Sequence, residues 1–407
     1  MPAQKLKVHF LGIGGIGVSA LARYYLSQGH IVSGSDLASS EITESLKKSG
    51  AKIFIGQNDL PQKADLIIYS PAVKIEKLGK KTLAEILSYP EALGRLTKKY
   101  FTIAVAGTHG KTTTTAMLAL ILIKAGFDPT VVIGTKMKEF GNTNFRSGKS
   151  RYLLIEADEH FASFLNYWPK AIIVTNIEAD HLDFYKNLSN IKNAFKKFMG
   201  HLPKNGILIT EKSADKKDFS VIKKIMKIPG DHIAYDALLA LNMARALQIP
   251  DKTSLAALGG YQGAWRRFEI IKTNPFTLIS DYGHNPQKAL ATLKGAREKY
   301  PHKKIWCVYQ PHQYERTYFL FNDFVRAFRQ APIDRLIITD IYDVAGRETK
   351  KTKQKVDAQK LVKAIKKESV SYSPKYELVS FLKKNVKNGE VLIVMGAGDI
   401  YQIDKEL

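Results

Sequence analysis

A single cysteine, Cys307, stands in 407 residues, which rules out an intramolecular disulfide framework and fits a reducing compartment. No apolar run approaches the roughly 20 residues needed to cross a bilayer, so membrane insertion is not expected. The opening Met1-Pro-Ala-Gln-Lys-Leu-Lys7 leads straight into a strand-like segment. That leaves no room for a secretory leader, and the expected location is the cytoplasm. No internal repeat or low-complexity segment stands out. Acidic residues are scarce beside basic ones, 38 against 62, for a formal net charge of +24. The lysines are scattered in pairs such as Lys47-Lys48, Lys98-Lys99 and Lys216-Lys217, with no long block and no interleaved aromatics. A Lys-rich solvated surface is therefore expected, one that draws in acidic substrates, and nucleic-acid binding is not.

What is present is an ordinary globular composition, 45% hydrophobic and 25% charged, long enough for two to four domains. Strand-like and helical patterns alternate in three α/β blocks, placed at 1–97, 98–267 and 268–407, which implies parallel sheets with crossover helices. The first block reads as strands at Leu6–Leu11, His30–Gly34, Lys52–Ile55 and Asp65–Tyr69, with a helix from Val18 to about Gln28. Arg95–Lys99 reads as a linker. The second block reads as strands at Phe101–Ala106, Tyr152–Ile155, Ala171–Thr175 and Ile207–Thr210, with helices at Thr113–Leu122, Leu188–Met199 and about Asp236–Leu247. The third reads as strands at Thr277–Ser280, Lys304–Tyr309, Arg335–Thr339 and Val391–Val394.

The most specific stretch is Gly107-Thr108-His109-Gly110-Lys111-Thr112-Thr113, between a buried strand and a helix. Backbone N–H groups of such a loop cradle phosphate oxygens, and the helix N-terminus adds partial positive charge. Lys111 neutralises the terminal phosphates and the Thr112 hydroxyl can hold Mg²⁺. The loop is not a strict GxxxxGK[ST], because Val105 sits where the first glycine belongs. Glu156 ends a strand, where open α/β sheets bind ligands, and His181 follows another. A carboxylate and an imidazole beside the phosphate loop suit a divalent ion. Gly12-x-Gly14-x-x-Gly17, with Asp36 ending the next strand, is a dinucleotide-type fingerprint that fits NAD, FAD or a nucleotide sugar equally well. Asp281-Tyr-Gly-His284 and Gln310-Pro-His-Gln-Tyr-Glu-Arg316 each link a strand to a helix, and Arg316 is a planar donor suited to a carboxylate.

Taken together and in order, these motifs resemble the Mur ligase family across essentially the whole chain. The resemblance also rests on Thr175-Asn-Ile-Glu-Ala-Asp-His-Leu-Asp183, Arg266-Arg-Phe268 and Gly396-Ala-Gly-Asp399. It implies a Rossmann-like N-terminal domain for a UDP-sugar, a P-loop central ATPase domain, here shortened, and a Rossmann-like C-terminal domain for the amino acid. It implies an ADP-forming amide ligase of peptidoglycan synthesis, joining L-alanine to UDP-N-acetylmuramate through an acyl phosphate. The rivals are a ligase adding a recycled tripeptide to the same sugar nucleotide, a non-catalytic nucleotide-sugar-binding module and an NAD-dependent dehydrogenase. By resemblance, Gly12, Gly14, Gly15, Gly17, Asp36 and Ser70 bind the UDP-sugar. Gly107 to Thr113, Arg267 and Asp281 bind ATP. Thr112 and Glu156 hold Mg²⁺ (or Mn²⁺), with His181 for a second ion. Lys111, Glu156, His181, His284 and Arg316 serve catalysis, the last two on the amino-acid and acyl-phosphate side. Departures from the family pattern are Ile233 and Asp236 for two asparagines on the adenine side, Gln313 for an arginine, Asn285 for a histidine, and His160-Phe161 for Ser-Asp. The oligomeric state is not fixed by the sequence.

Overall fold

The computed structural model describes residues 5–56, 61, 63–75, 82–343 and 353–407. Three sheets follow one another along the chain. The first contains β1 (Lys7–Leu11), β2 (Ile31–Asp36), β3 (Lys52–Ile55), β4 (Leu66–Tyr69) and β5 (Glu85–Ser88), in the order β3-β2-β1-β4-β5. All its pairings are parallel, and the order reverses between β1 and β4. The second contains β6 (Phe101–Ala106), β7 (Thr130–Met137), β8 (Thr143–Arg146), β9 (Tyr152–Glu156), β10 (Ala171–Val174) and β11 (Ile207–Thr210). Its order is β11-β10-β6-β9-β7-β8, parallel except for the β7–β8 pair. The third contains β12 (Glu269–Lys272), β13 (Thr277–Asp281), β14 (Ile305–Tyr309), β15 (Arg335–Ile338), β16 (Val370–Tyr372) and β17 (Val391–Met395). It is ordered β12-β13-β17-β14-β15-β16, with only β12 antiparallel to its neighbour.

Central strands are continuous apolar runs because crossover helices cover both faces of a parallel sheet. All residues of β14 and β17 are buried, and all of β6 but its first. Cys307 lies within β14, where burial pushes its thiol up, so it is a packing residue. The chain divides into two compact units. One holds the first two sheets with Tyr235–Gly259, and the other holds the third sheet with Lys223–Ala234. Within the first unit a single apolar cluster runs from Phe10 and Leu21 through Leu93 to Leu153, Phe164 and Phe198. Polar contacts cross the same junction. Asn144 donates to the Ile16 carbonyl and to Ser19 Oγ (2.9 Å), and the Tyr24 and Tyr100 hydroxyls lie 3.2 Å apart.

The observed elements correct several expectations. Residues 95–97 are not linker but the last turn of a helix, Tyr89–Thr97, where Arg95 pairs with Glu85 at 2.6 Å. The helix expected from Asp236 spans Asp231–Ala246, and that expected from Thr113 spans Lys111–Lys124. Strands β5, β7, β8, β12 and β16 were not anticipated. No helix among the described residues is long and apolar enough to cross a membrane.

Candidate active site

At the centre of the second sheet, β6 delivers the phosphate-type loop between strands β10 and β9. Register places Val105 beside Glu156 and Ala106 beside Val174, so the three strand ends converge at one edge. Gly107 has φ +141, and a Cβ there would collide with the Thr175 hydroxyl. Gly110, at φ +79, would meet the buried Asp236 carboxylate in the same way. Only glycine fits either position. The segment after β10 braces the loop from outside. Thr108 N–H donates to the Asn176 carbonyl (3.0 Å), His109 N–H to Asn176 Oδ1 (2.9 Å), and Glu178 N–H to Thr108 Oγ1 (2.9 Å). His109 Nε2 also lies 3.6 Å from Glu178 Oε2.

Lys111 opens the helix Lys111–Lys124, and its ammonium turns back over the loop. Nζ donates to the Gly107 carbonyl (2.7 Å) and to Glu159 Oε2 (2.6 Å), with Asp158 Oδ1 at 3.5 Å. Burial works against the charged form, but Glu159 and Asp158 outweigh it and hold Lys111 protonated. Thr112 Oγ1 donates to Glu156 Oε1 (2.8 Å), and Glu156 Oε2 accepts from Gly134 N–H of β7 (2.9 Å). Thr113 is buried behind them. His181 caps the short helix Leu182–Tyr185 with φ +51 and stacks on His160 at 4.2 Å. Its Nε2 is 3.8 Å from Glu159 Oε1, an oxygen that is buried and makes no hydrogen bond. The expected Lys111, Thr112, Glu156 and His181 are thus gathered around Asp158 and Glu159, to which the sequence analysis assigns no role. Their signal was the acidic run Glu156-Ala-Asp-Glu159 at a strand end.

In the first sheet, Gly12 (φ +73) turns the chain after β1, and its N–H donates to the Ser35 carbonyl at 2.9 Å. Gly15 N–H closes the turn on the Gly12 carbonyl (3.1 Å), and Gly15 precedes the helix Ile16–Ser27. Asp36 ties this loop to β2: Oδ2 accepts from Gly14 N–H and Oδ1 from Leu37 N–H, both at 2.8 Å. Ser70 stands beside Gly12, where an added Cβ would come within 2.9 Å of the serine Cβ. Gly17 faces Tyr89. All six expected residues therefore meet at the carboxyl edge of the sheet, where its strand order reverses, and Asp36 shapes the loop itself.

In the second unit, the ends of β13, β14 and β17 meet in register at Asp281, Tyr309 and Met395. Asp281 is buried and held by three protein donors: Gly283 N–H (2.8 Å) and Thr292 Oγ1 (3.3 Å) on Oδ1, Phe268 N–H (2.9 Å) on Oδ2. It fixes two loops at once, the one carrying Arg267 and the one carrying His284. Arg266 is buried over Tyr401 (4.4 Å) and Tyr282 (4.8 Å) and donates to the Gly396 and Gly398 carbonyls. Arg267 lies over Tyr282 at 4.9 Å. His284 Nδ1 meets the Tyr282 carbonyl at 3.1 Å. Burial, then the nearby Lys288 and Arg316, push its imidazole well below the usual range, so it is neutral. Arg316 reaches His312 Nδ1 (3.1 Å), and His312 stacks on Tyr342. Sequence reasoning had not singled out His312. Gln313 caps the helix Tyr314–Phe319 with φ +72.

Three family profiles match in sequence along the chain. They are the Mur ligase family catalytic domain over residues 7–101, the Mur ligase middle domain over 105–237, and the Mur ligase glutamate ligase domain over 266–398. The chain is 38% identical to the UDP-N-acetylmuramate–L-alanine ligase of Acetivibrio thermocellus, over 99% of this chain and 95% of that one. It is 36% identical to the enzyme of the same name from Clostridium novyi, over 98% and 96%. The fold matches the crystal structure of UDP-N-acetylmuramate-alanine ligase from Thermotoga maritima with a TM-score of 0.78, at 27% identity over 98% of both chains. Matched by three Mur ligase profiles in succession and by relatives 36–38% identical over nearly its whole length, the chain belongs to the Mur ligase family.

Proposed function

We propose that this chain is an ATP-dependent, ADP-forming ligase that joins L-alanine to the lactyl carboxylate of UDP-N-acetylmuramate in peptidoglycan precursor synthesis. The observation that carries the reading is the convergence of Lys111, Thr112 and Glu156 at the ends of β6 and β9. It is joined by the activity named for relatives 36–38% identical over nearly the whole chain. A carboxylate is a poor electrophile, so it must be activated. The lactyl oxygen attacks the γ-phosphorus of ATP and ADP departs. The amine of L-alanine then attacks the acyl carbonyl, phosphate leaves with the C–O bond, and the amine proton is lost.

Lys111 is held charged at the loop, and exchanging Glu159 for a terminal phosphate oxygen places that charge on the transferred group. The oxygen donors of Thr112 and Glu156, 2.8 Å apart, are of the kind Mg²⁺ selects. We assign Thr112 and Glu156 to that ion and His181 to a second, and the bound ion would neutralise charge on the phosphoryl oxygens. We assign Arg267 and Asp281 to the nucleotide, Asp281 acting through the loops it anchors. Neutral His284, a hydrogen-bond partner without charge, and Arg316, a carboxylate donor, are assigned to the amino-acid side. The cytoplasm is the location this reading implies.

Phosphate release from ATP tests the reading, with UDP-N-acetylmuramate and each amino acid or the wall tripeptide as acceptor. Release that needs both the sugar nucleotide and L-alanine is the expected result. Dependence on the tripeptide alone would reassign the acceptor, and silence with sugar-nucleotide binding intact would leave a binding module.

A further inference from the structure

Helix Tyr89–Thr97 begins directly at the carboxyl end of β5, so its first side chain emerges at the edge where the first sheet gathers its glycine loop. Tyr89 is half-buried there, and its ring closes on Gly17. A Cβ on Gly17 would lie 2.9 Å from the ring carbon Cζ and 3.0 Å from the hydroxyl oxygen. The carboxylates of Glu156 and Asp158 lie within electrostatic range of it. The Tyr89 phenol is a hydrogen-bond donor in the ordinary protonated form. Among the described residues the Tyr89 hydroxyl makes no hydrogen bond.

The position is built rather than incidental. Ser88 and Glu91 form a reciprocal capping box, with Ser88 N–H donating to Glu91 Oε2 at 2.8 Å, and Pro90 stiffens the first turn. Six residues on, Gly94 packs so closely on the Asn166 carbonyl that no Cβ fits between them. The helix is thus seated on the central domain while its first residue touches the N-terminal one. An unpaired donor therefore lies against the start of helix Ile16–Ser27, where a diphosphate is favoured by backbone N–H groups and the helix dipole, and within electrostatic range of the carboxylates of Glu156 and Asp158.

We propose that the Tyr89 hydroxyl donates a hydrogen bond to a diphosphate oxygen of the sugar nucleotide, fixing the substrate where it leaves the glycine loop toward Glu156. This rests on the ligase reading above. A phenol donating to an anionic oxygen gives a charge-assisted bond, of the stronger class. It also restricts where the remainder of the substrate can point.

Tyr89→Phe removes only the hydroxyl. Calorimetric titration of the full-length protein should show UDP-N-acetylmuramate binding weakened about tenfold, with UDP alone weakened by a similar factor. The KM for the sugar nucleotide should rise in step, the KM values for ATP and L-alanine should stay within about twofold, and the thermal midpoint should not move. Unchanged affinity of Tyr89→Phe for a sugar nucleotide that the wild type binds overturns the assignment and leaves the ligase reading standing. Weakened binding of UDP-N-acetylmuramate with unchanged binding of UDP overturns the diphosphate contact. Wild-type protein that binds no UDP-sugar overturns the ligase reading, and this inference with it.

Discussion

Lys111 shows how one side chain can carry two duties that a simple deletion confuses. Its ammonium is the phosphate ligand of the proposed reaction, yet it also balances Glu159, whose side chain is only 3% exposed. Lys111→Ala should lower kcat by about a thousandfold or more, a loss typical of a missing transition-state charge. It should also destabilise the fold by roughly 3 kcal/mol, because an uncompensated buried carboxylate remains. The double variant Lys111→Met/Glu159→Gln removes both charges and should recover most of the stability and none of the activity. Denaturant melts with single-turnover ADP formation check this, and active double variant would remove Lys111 from the chemistry. His9 is a second residue-scale case. Buried in β1 with Nδ1 2.8 Å from Ser33 Oγ, its imidazole is pulled by burial from 6.5 to about 4. Between those values the unfolded chain binds the proton and the folded one does not. Its contribution is therefore complete above pH 6.5 and is lost as pH falls toward 4, by up to about 3 kcal/mol. In His9→Gln the fall in denaturant stability over that range should be shallower than in wild type; parallel slopes would assign the acid sensitivity elsewhere. Neither role was legible in the sequence. Lys111, Thr112 and Glu156 announce themselves by chain context, whereas a charge balance with Glu159 or the burial of His9 depends on residues that only folding brings near.

At the scale of elements, what the sequence disclosed tracks burial. Strands β1, β4, β6, β9, β10, β14 and β17 are short apolar runs ending in glycine or polar residues, and each was anticipated within a residue or two. The strands that escaped notice lie mostly at or beside sheet edges. Glu85–Ser88 presents two of its four side chains to solvent, and Glu269–Lys272 has none buried. Thr130–Met137 is interrupted by Gly134, whose missing side chain makes room for Glu156. Edge strands need only one apolar face, so their pattern merges with that of loops. The helix Tyr89–Thr97 was misread for a related reason, since Arg95-Leu-Thr-Lys-Lys99 looks like a basic linker until its Arg95–Glu85 pair is seen. The start of that helix was nonetheless written in Ser88-Tyr-Pro-Glu91, a serine cap with proline and glutamate in the first turn. Ser88→Ala should cost about 1 kcal/mol in a chemical melt. It should also loosen Tyr89 and raise the KM for the sugar nucleotide less than Tyr89→Phe does. A larger effect on KM from the cap than from the hydroxyl would mean that the helix, not its donor, matters to binding. Gly107→Ala tests the phosphate loop as an element. Its φ of +141 and the nearby Thr175 hydroxyl leave no place for a methyl group, so ATP binding should be lost while the sugar nucleotide still binds, read by separate titrations.

For the molecule as a whole, three motif-bearing blocks were visible in the sequence, but the way they share cores was not. The first two sheets form one compact unit whose apolar cluster is continuous, while the third sheet has its own cluster around Leu278, Trp306 and Leu392. Motif order reveals domains as evolutionary modules; only packing reveals which of them unfold together. Leu153, fully buried in β9, belongs to the shared cluster. Leu153→Ala should cost about 2–5 kcal/mol through lost transfer energy and a residual cavity. If the cluster is one cooperative unit, amide exchange should quicken by similar factors in β1 and β6, although the two strands carry different motifs. Amides of β14 and β17 should keep their wild-type protection, because local stability follows contiguous packing. Faster exchange in β6 with β1 unchanged would show that the two sheets unfold separately despite the continuous cluster. The distinction bears on function. In a cooperative pair the glycine loop, Tyr89 and Glu156 are held in fixed register by one folding event, so the distance between the proposed diphosphate contact and the proposed phosphate-transfer site is set before either substrate arrives.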